Sequence, residues 1–150
     1  MMLLDDRLNS SWWALRIGIG LTAFLAGLDK FFNVLTNWSM YLSPIFQHLL
    51  PVGENAFMRS VGVIEMVVGV AVLARWTRIG AYVASAWLLL IAANLISSGA
   101  FLDLAVRDVV IAIAAYALAR MTEVREQEGA TDLSQTGLRV SKTAQPARTA

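Results

Sequence analysis

GLDKFF, residues 27–32, ends a long apolar run that begins at Trp12, and it places an acid, Asp29, beside a base, Lys30, where hydrocarbon should continue. Ionisable groups inside a membrane segment are costly, so they normally face the protein interior, pair with each other and mark a functional site. Three further apolar segments of the chain also carry polar groups. The sequence therefore predicts an all-α protein, a transmembrane four-helix bundle organised around a buried polar cluster.

The composition favours a lipid environment. Of the 150 residues, 57% are hydrophobic and 15% are charged, whereas a soluble domain has about 45–50% and about 25%. The mean hydropathy is +0.60. A formal net charge of +1 provides no basic field for nucleic acid. With no cysteine and one histidine, the chain offers no disulfide, thiolate or polyhistidine metal site, and we expect no bound metal.

Four spans follow from the hydropathy, each long enough for a hydrocarbon core of about 30 Å. They cover residues 12–35, 56–74, 79–96 and 101–121. Residues 12–121 are thus expected to form one transmembrane domain. Residues 122–150 are polar, with few large apolar side chains, and are expected to form a largely disordered cytoplasmic tail.

The insert between the first two spans, residues 33–55, is too short and too interrupted to cross the bilayer. Its central part, residues 40–50, contains apolar and aromatic side chains. Two interpretations are open: a flap that lies on the membrane surface, and a loop that packs over the bundle.

The distribution of arginine predicts the orientation, because positive residues collect on the cytoplasmic side. They lie at the N-terminus, in the second connection and after the fourth span: Arg7, Arg16, Arg75, Arg78, Arg120 and Arg125. The first loop has none between Lys30 and Arg59. We expect an integral protein of a bacterial-type plasma membrane, with both termini cytoplasmic and the long first loop outside.

This orientation brings the polar residues of all four spans to one depth in the outer half of the bilayer. Glu65, for example, lies roughly 10–14 Å from the start of the second span at 1.5 Å per residue. The predicted binding site comprises Asp29, Lys30, Arg59, Glu65, Asn94, Arg107 and Asp108. Because three acids face three bases, the cluster is expected to be neutral overall.

Two interpretations of this cluster stay open. In one, buried ion pairs only fix the order of the helices. In the other, a polar pocket under the first loop binds a quinone head group, with Arg or Lys bonding its carbonyl oxygens and Glu65 carrying protons. Phe31, Phe32, Trp38 and Trp87 would then either stack on the ring or serve as packing and lipid-facing residues.

The pattern of polar residues and glycines over residues 12–121 resembles the DoxX family of small four-helix membrane proteins. The resemblance is carried by GLDKF at residues 27–31, Glu65 between Gly62 and Gly69, Asn94, and Arg107 followed by Asp108. The family takes its name from a subunit associated with thiosulfate:quinone oxidoreductase. Other members are linked to redox defence or to the assembly of membrane proteins.

The resemblance implies a redox-associated subunit with a quinone site, acting with a soluble or membrane redox partner. At most, the chain would be the membrane subunit of a quinone-linked oxidoreductase, and no catalytic residue is assigned. The alternative is a non-enzymatic interaction or assembly protein whose buried charges are structural. A transporter would require more helices, which a homo-oligomer would supply. The lack of cysteine argues against thiol exchange by this chain alone.

Overall fold

The computed structural model describes residues 2–44 and 53–143, which form four α-helices and one short 3-10 helix, with no strand among them. The elements are α1 (Met2–Phe32), the 3-10 helix (Trp38–Tyr41), α2 (Glu54–Leu73), α3 (Thr77–Ser98) and α4 (Leu102–Thr143). The predicted all-helical fold is confirmed.

Three of the helices are long and apolar enough to cross a membrane. They are Leu8–Phe32 within α1, α2 and α3, and they match the first three predicted spans. The fourth predicted span lies in the first half of α4, which is helical but carries four charged side chains between residues 101 and 121. A crossing by α4 stays a prediction.

α1 and α2 run antiparallel and touch backbone to backbone at two pairs of glycines. A Cβ built on Gly27 would lie 2.5 Å from the carbonyl oxygen of Gly62, and one built on Gly69 would lie 2.7 Å from that of Gly20. Small residues of this kind let membrane helices approach closely. The two contacts fix a register in which Lys30 of α1 lies level with Arg59 of α2.

α3 and α4 pack through alanines, while the far side of α4 is apolar and exposed. The buried small residues are Ala81, Ala84 and Ala92 of α3 and Ala105, Ala112, Ala115 and Ala119 of α4. The exposed large residues are Leu102, Val106, Val110, Ile113 and Tyr116. Their helical spacing places these exposed side chains on one face of α4, which suits contact with lipid.

We call the end of the bundle where α1 begins and α2 ends the terminal end. Polar side chains hold this end together. Arg16 donates to the carbonyl oxygens of Val72 at 3.1 Å and Leu73 at 2.6 Å, so it satisfies acceptors that the end of α2 leaves open. The indole of Trp12 donates to Thr122 Oγ1 at 2.8 Å. These bonds join α1 to α2 and to α4.

α4 continues well past the predicted boundary of the bundle. Arg78 pairs with Glu126 at 2.9 Å, so the first turns after residue 121 still bind α3. Residues 124–131 are exposed and polar, as expected for a tail, but they are helical. Glu, Arg, Gln and Ala are good helix formers and dominate this segment. The division of the chain at residue 121 stays a prediction.

The opposite end, where α1 ends and α2 begins, is the loop end. α1 stops at Asn33, whose φ of 51° is left-handed, a conformation that Asn tolerates better than most residues. The following segment folds over the bundle: the Tyr41 ring lies 4.8 Å from that of Phe101, and Ser43 is fully buried. The described part of the loop is therefore a cover rather than a membrane-surface flap. Residues 45–52 lie outside the described residues.

Candidate functional site

Lys30 and Glu65 form a buried ion pair between α1 and α2. The Nζ of Lys30 lies 2.5 Å from Oε2 of Glu65, and 6% and 7% of these residues are exposed. Glu65 is the twelfth residue of α2, about 16 Å from the start of the helix at 1.5 Å per residue. The predicted pairing of an acid and a base from different spans therefore occurs near the middle of α2.

The pair forms because helical side chains lean toward the N-terminus of their own helix. In antiparallel helices, this lean carries Lys30 inward from the end of α1 and carries Glu65 outward, toward the loop end. Gly62 lies between their levels and leaves room for the lysine stem, since a Cβ there would lie 3.1 Å from the Cβ of Lys30. The glycine contact and the ion pair are thus parts of one packing arrangement.

Asp29 is also buried, with 8% exposed, but it faces the loop rather than the ion pair. Its carboxylate accepts hydrogen bonds from the backbone N–H of Val34 at 3.0 Å and from the indole of Trp38 at 2.7 Å. The Trp38 ring also covers Lys30, whose Nζ lies 3.8 Å from the ring centroid, a cation–π contact. Asp29 therefore holds the aromatic cover of the site in place.

Asp108 of α4 supplies a second buried carboxylate near Lys30. Only 5% of Asp108 is exposed, and Oδ1 pairs with the neighbouring Arg107 at 3.2 Å. The Arg107 side chain itself is 60% exposed. Asp108 also interacts electrostatically with Lys30 and with Glu65. Three helices thus contribute four buried charges to this site: two from α1 and one each from α2 and α4.

α3 contributes Trp87, whose indole nitrogen is buried. This Nε1 makes no hydrogen bond to any of the described residues. It interacts with the Glu65 carboxylate, but without the geometry of a hydrogen bond. A buried N–H donor without an acceptor is unusual, because leaving it unsatisfied costs about 1–3 kcal/mol.

The two remaining predicted site residues lie elsewhere. Asn94 binds the loop: its amide donates to the carbonyl oxygen of Tyr41 at 2.8 Å and accepts from the backbone N–H of Ser43 at 3.1 Å. Arg59 is exposed and makes no ion pair with any of the described residues. The site is therefore built by Asp29, Lys30, Glu65 and Asp108, with Asn94 positioning its cover.

A small polar pocket joins Arg59 to the buried pair. Its volume is about 90 Å³. It is lined by Lys30, Phe31, Asn33, Ser39, Asn55, Met58 and Arg59. Because a cavity needs only about 10–15 Å³ of this kind of volume to hold a water molecule, the pocket is large enough for water. The pocket reaches Lys30 from the loop end between polar side chains.

The charge balance differs from the expected neutral cluster. Among the residues whose burial the structure describes, three acids are buried in the site, whereas only one base, Lys30, is buried with them. Asp29 is satisfied by N–H donors, which leaves Glu65 and Asp108 to share Lys30 and the exposed Arg107. Arg59 does not pair with any of these carboxylates, because it lies at the mouth of the pocket. The common depth of these bases in the bilayer stays a prediction, and the sequence does not predict which of them the packing buries.

Trp38 and Trp87 belong to the site, although the predicted set of site residues did not include them. Their type indicated a stacking role, but nothing in the sequence distinguished them from Trp76, which is exposed. Asn33 and Asn55 at the pocket mouth were also missed. A pair of amides beside the ends of two adjacent spans is the signal that would have found them.

A second cavity, of about 280 Å³, opens between α2 and α3 nearer the terminal end. It is lined by apolar residues and one glycine: Val67, Val68, Ala71, Trp76, Ile79, Gly80 and Val83. It offers no charged group, so it is suited to hydrocarbon and not to a polar head group. Among the described residues, no group of acids or histidines could hold a metal ion.

Comparison with known proteins does not assign the chain to a family. The chain matches no family model, no curated protein and no solved structure. A functional assignment therefore depends on the contacts of its own residues, and the resemblance to the DoxX family stays a prediction.

Proposed function

We propose that this chain is a DoxX-like integral membrane protein and a redox-associated subunit, which binds a quinone head group beside the Lys30–Glu65 pair and works with a soluble or membrane redox partner. The observation that carries the proposal is the buried Glu65 carboxylate, on which two buried donors converge, the Lys30 ammonium and the Trp87 indole N–H. Donors of this kind could equally bond a quinone carbonyl oxygen beside Glu65.

The residues around the pair suit such a ligand in chemistry. Lys30 and Trp87 are donors that both interact with Glu65, and the Trp38 ring lies over Lys30. A quinone supplies two-electron redox chemistry that the side chains of this protein lack. The polar pocket of about 90 Å³ is small beside ordinary ligand sites of about 300 Å³ or more, so it admits a carbonyl edge and not a whole ring.

The proposal includes four crossings with both termini in the cytoplasm. The apolar exposed face of α4 supports a fourth crossing, since it would meet water in a three-span protein. The arginines at the terminal end support the orientation: Arg16, Arg78 and Arg125 contact partners there, whereas the pocket with Arg59 lies at the loop end. The excess of positive residues is expected on the cytoplasmic side.

Quinone that co-purifies with the protein tests the ligand. The protein is purified in mild detergent, extracted with organic solvent, and its quinone content is measured by mass spectrometry. We expect near-stoichiometric quinone in the wild type and a large loss in Glu65→Gln and Trp87→Phe. Glu54→Gln, an exposed acid of the same helix, is the matched control and should retain the ligand. Absence of quinone from the wild type, or equal amounts in all variants, contradicts the proposal.

A second candidate is a non-enzymatic interaction or assembly protein in which the charges are structural. The observation that favours it is the backbone contact of Gly27 with Gly62 directly beside the ion pair, since the pair then serves to lock α1 against α2. It is tested by replacing both partners with apolar residues. A double variant that folds and keeps its function would support this candidate against the quinone site.

A further inference from the structure

We propose that the small polar pocket at the loop end binds a phosphate group, held by the guanidinium of Arg59 and the amides of Asn33 and Asn55. The group is either a free phosphate ion or the phosphate of a lipid head group, because both present the same acceptor oxygens. The pocket borders the proposed quinone site through Lys30. The inference needs no quinone, however, so the two proposals are tested separately.

Arg59 carries a positive charge that lacks a partner. It is exposed and makes no ion pair with any of the described residues. No acid lies three or four positions away from it on α2, the spacing at which helical side chains pair. The insert before α2, residues 33–53, contains no acidic residue at all. Neither the helix nor the insert therefore supplies a carboxylate that would neutralise Arg59.

Two amides of the pocket have their oxygen atoms occupied and their N–H groups available. Oδ1 of Asn33 accepts from the backbone N–H of Trp38 at 3.5 Å, and Oδ1 of Asn55 accepts from the hydroxyl of Ser39 at 3.1 Å. Neither amide nitrogen donates to any of the residues that the structure describes. Since each amide has two N–H donors, the pocket offers donors to a ligand that accepts hydrogen bonds.

The polar groups of the pocket come from three segments that meet there. Asn33 follows the last residue of α1, and Ser39 belongs to the 3-10 helix. Asn55 and Arg59 lie one turn apart near the start of α2. The N-cap of α2, Gly53, provides no side-chain hydrogen bond, so the open N–H groups of the first turn add positive potential at this end. Donors from several segments suit a group with several oxygens, and arginine often binds phosphate through two of them.

The nearby acids do not oppose such a ligand, because they have partners or lie outside the pocket. Among the described residues, no acid lines it. Glu65 pairs with Lys30, and Asp29 accepts from the indole of Trp38 and from the loop backbone. Glu54 is exposed in the first turn of α2 and does not line the pocket.

The size and the position of the pocket also suit a phosphate group. Its volume of about 90 Å³ is several times the roughly 10–15 Å³ that one water needs, which leaves room for a compact anion of a few atoms. In the proposed orientation, the loop end lies at the outer surface of the membrane. Both dissolved phosphate and the head groups of the outer leaflet reach this level.

Calorimetric titration with inorganic phosphate tests the free ion. The full chain is purified in mild detergent, lipid and quinone are extracted, and chloride keeps the ionic strength constant. Arg59→Gln should weaken phosphate binding about tenfold or more, because it removes the charged donor. Asn55→Leu should weaken it by a smaller factor. Arg75→Gln, an exposed arginine that does not line the pocket, is the matched control and should bind as the wild type does.

Native mass spectrometry of the same delipidated protein tests the lipid. The protein is mixed with phosphatidylglycerol or with a diacylglycerol of the same acyl chains, which has no phosphate. If the pocket takes a lipid phosphate, the protein retains phosphatidylglycerol and not the diacylglycerol. Arg59→Gln should then lower the retained amount, whereas Arg75→Gln should not.

Binding of either probe that depends on Arg59 supports the site, and the probe that binds identifies the source of the phosphate. Failure of the wild type to bind both probes overturns the proposal. Binding that is unchanged in Arg59→Gln, or that falls equally in Arg75→Gln, also overturns it. Melting temperatures show whether the variants fold, and Asn55→Leu replaces Arg59→Gln in the comparison if the latter does not.

Discussion

At the scale of single residues, the Lys30–Glu65 pair is the centre of the proposed quinone site, and its effect on stability depends on whether one or both partners are removed. Two opposite charges buried together gain strong attraction, but desolvation offsets much of it, so the net stabilisation of such a pair is small. Removal of one partner is different, because it leaves a single charge uncompensated. The pair therefore adds little to the free energy of unfolding, while the loss of either partner would lower it considerably. A role in binding explains such a pair more readily than stability alone.

Lys30→Met is expected to lower the free energy of unfolding by about 3–5 kcal/mol, because it leaves the Glu65 carboxylate without its partner. The double variant Lys30→Met/Glu65→Met should recover most of that loss and still bind no quinone. Thermal unfolding in detergent measures the first result, and mass spectrometry measures the second. A double variant as unstable as the single one would contradict the ion-pair interpretation.

Trp38 is expected to contribute through its N–H as well as its ring. Trp38→Phe keeps an aromatic ring over Lys30 but removes the bond to Asp29, and a bond to a charged group contributes about 1.5–3 kcal/mol. Trp38→Ala removes both contacts and should lower the melting temperature further. Equal melting temperatures for both variants and the wild type would show that the cover does not stabilise the bundle.

At the scale of the elements, the close packing of α1 on α2 sets the geometry of the site. The Gly27–Gly62 contact fixes the register, and the lean of the side chains then brings Lys30 to Glu65. Between α3 and α4, alanines take the same role and bring Asp108 and Trp87 to the same side. The functional groups are thus positioned by the smallest residues of the chain.

Gly27→Ala is expected to destabilise the protein by about 1–3 kcal/mol, as overpacking usually does. Its Cβ would meet the Gly62 carbonyl oxygen, so the two helices must separate. Gly18→Ala is the control on the same helix, since its Cβ meets nothing within 4 Å. Unfolding of both variants in detergent measures the difference. Equal stability of the two would show that the close contact does not form.

The helices could be predicted from the sequence, but the partners of the charges could not. Runs of apolar residues predicted the ends of α2 and α3 within two residues and the end of α1 within three, but α1 begins ten residues before the predicted span. Gly99, at φ 69°, ends α3. The depth of Asp29, Lys30 and Glu65 in the bilayer stays a prediction. Which of the bases is buried depends on the rotation of each helix, and that rotation is set by packing contacts between distant segments.

At the scale of the whole molecule, the chain forms two helical pairs that meet at the polar site. α1 lies along α2 and α3 along α4, and each pair places buried charged or indole groups toward the loop end. The terminal end instead carries the arginine bonds to α2 and α4. The site is thus open toward the loop end through the small polar pocket and closed by helix packing at the terminal end.

The proposed four crossings are tested with single cysteines, since the natural chain has none. Asn9→Cys and Gln127→Cys should react with a membrane-impermeant maleimide only from the cytoplasmic side, and Ala100→Cys only from the outer side. All three positions are exposed. Labelling of Ala100→Cys and Gln127→Cys from the same side would show that α4 does not cross the membrane.

The most direct test of the quinone site is photolabelling with a photoreactive quinone in native membranes, followed by peptide mapping. The label should appear on the segment from Asp29 to Trp38 and near Trp87, and unlabelled quinone should compete for it. Glu65→Gln should abolish this labelling, whereas Glu54→Gln should preserve it. Labelling confined to the apolar cavity at Trp76 and Ile79, unchanged in Glu65→Gln, would contradict a quinone site at the Lys30–Glu65 pair.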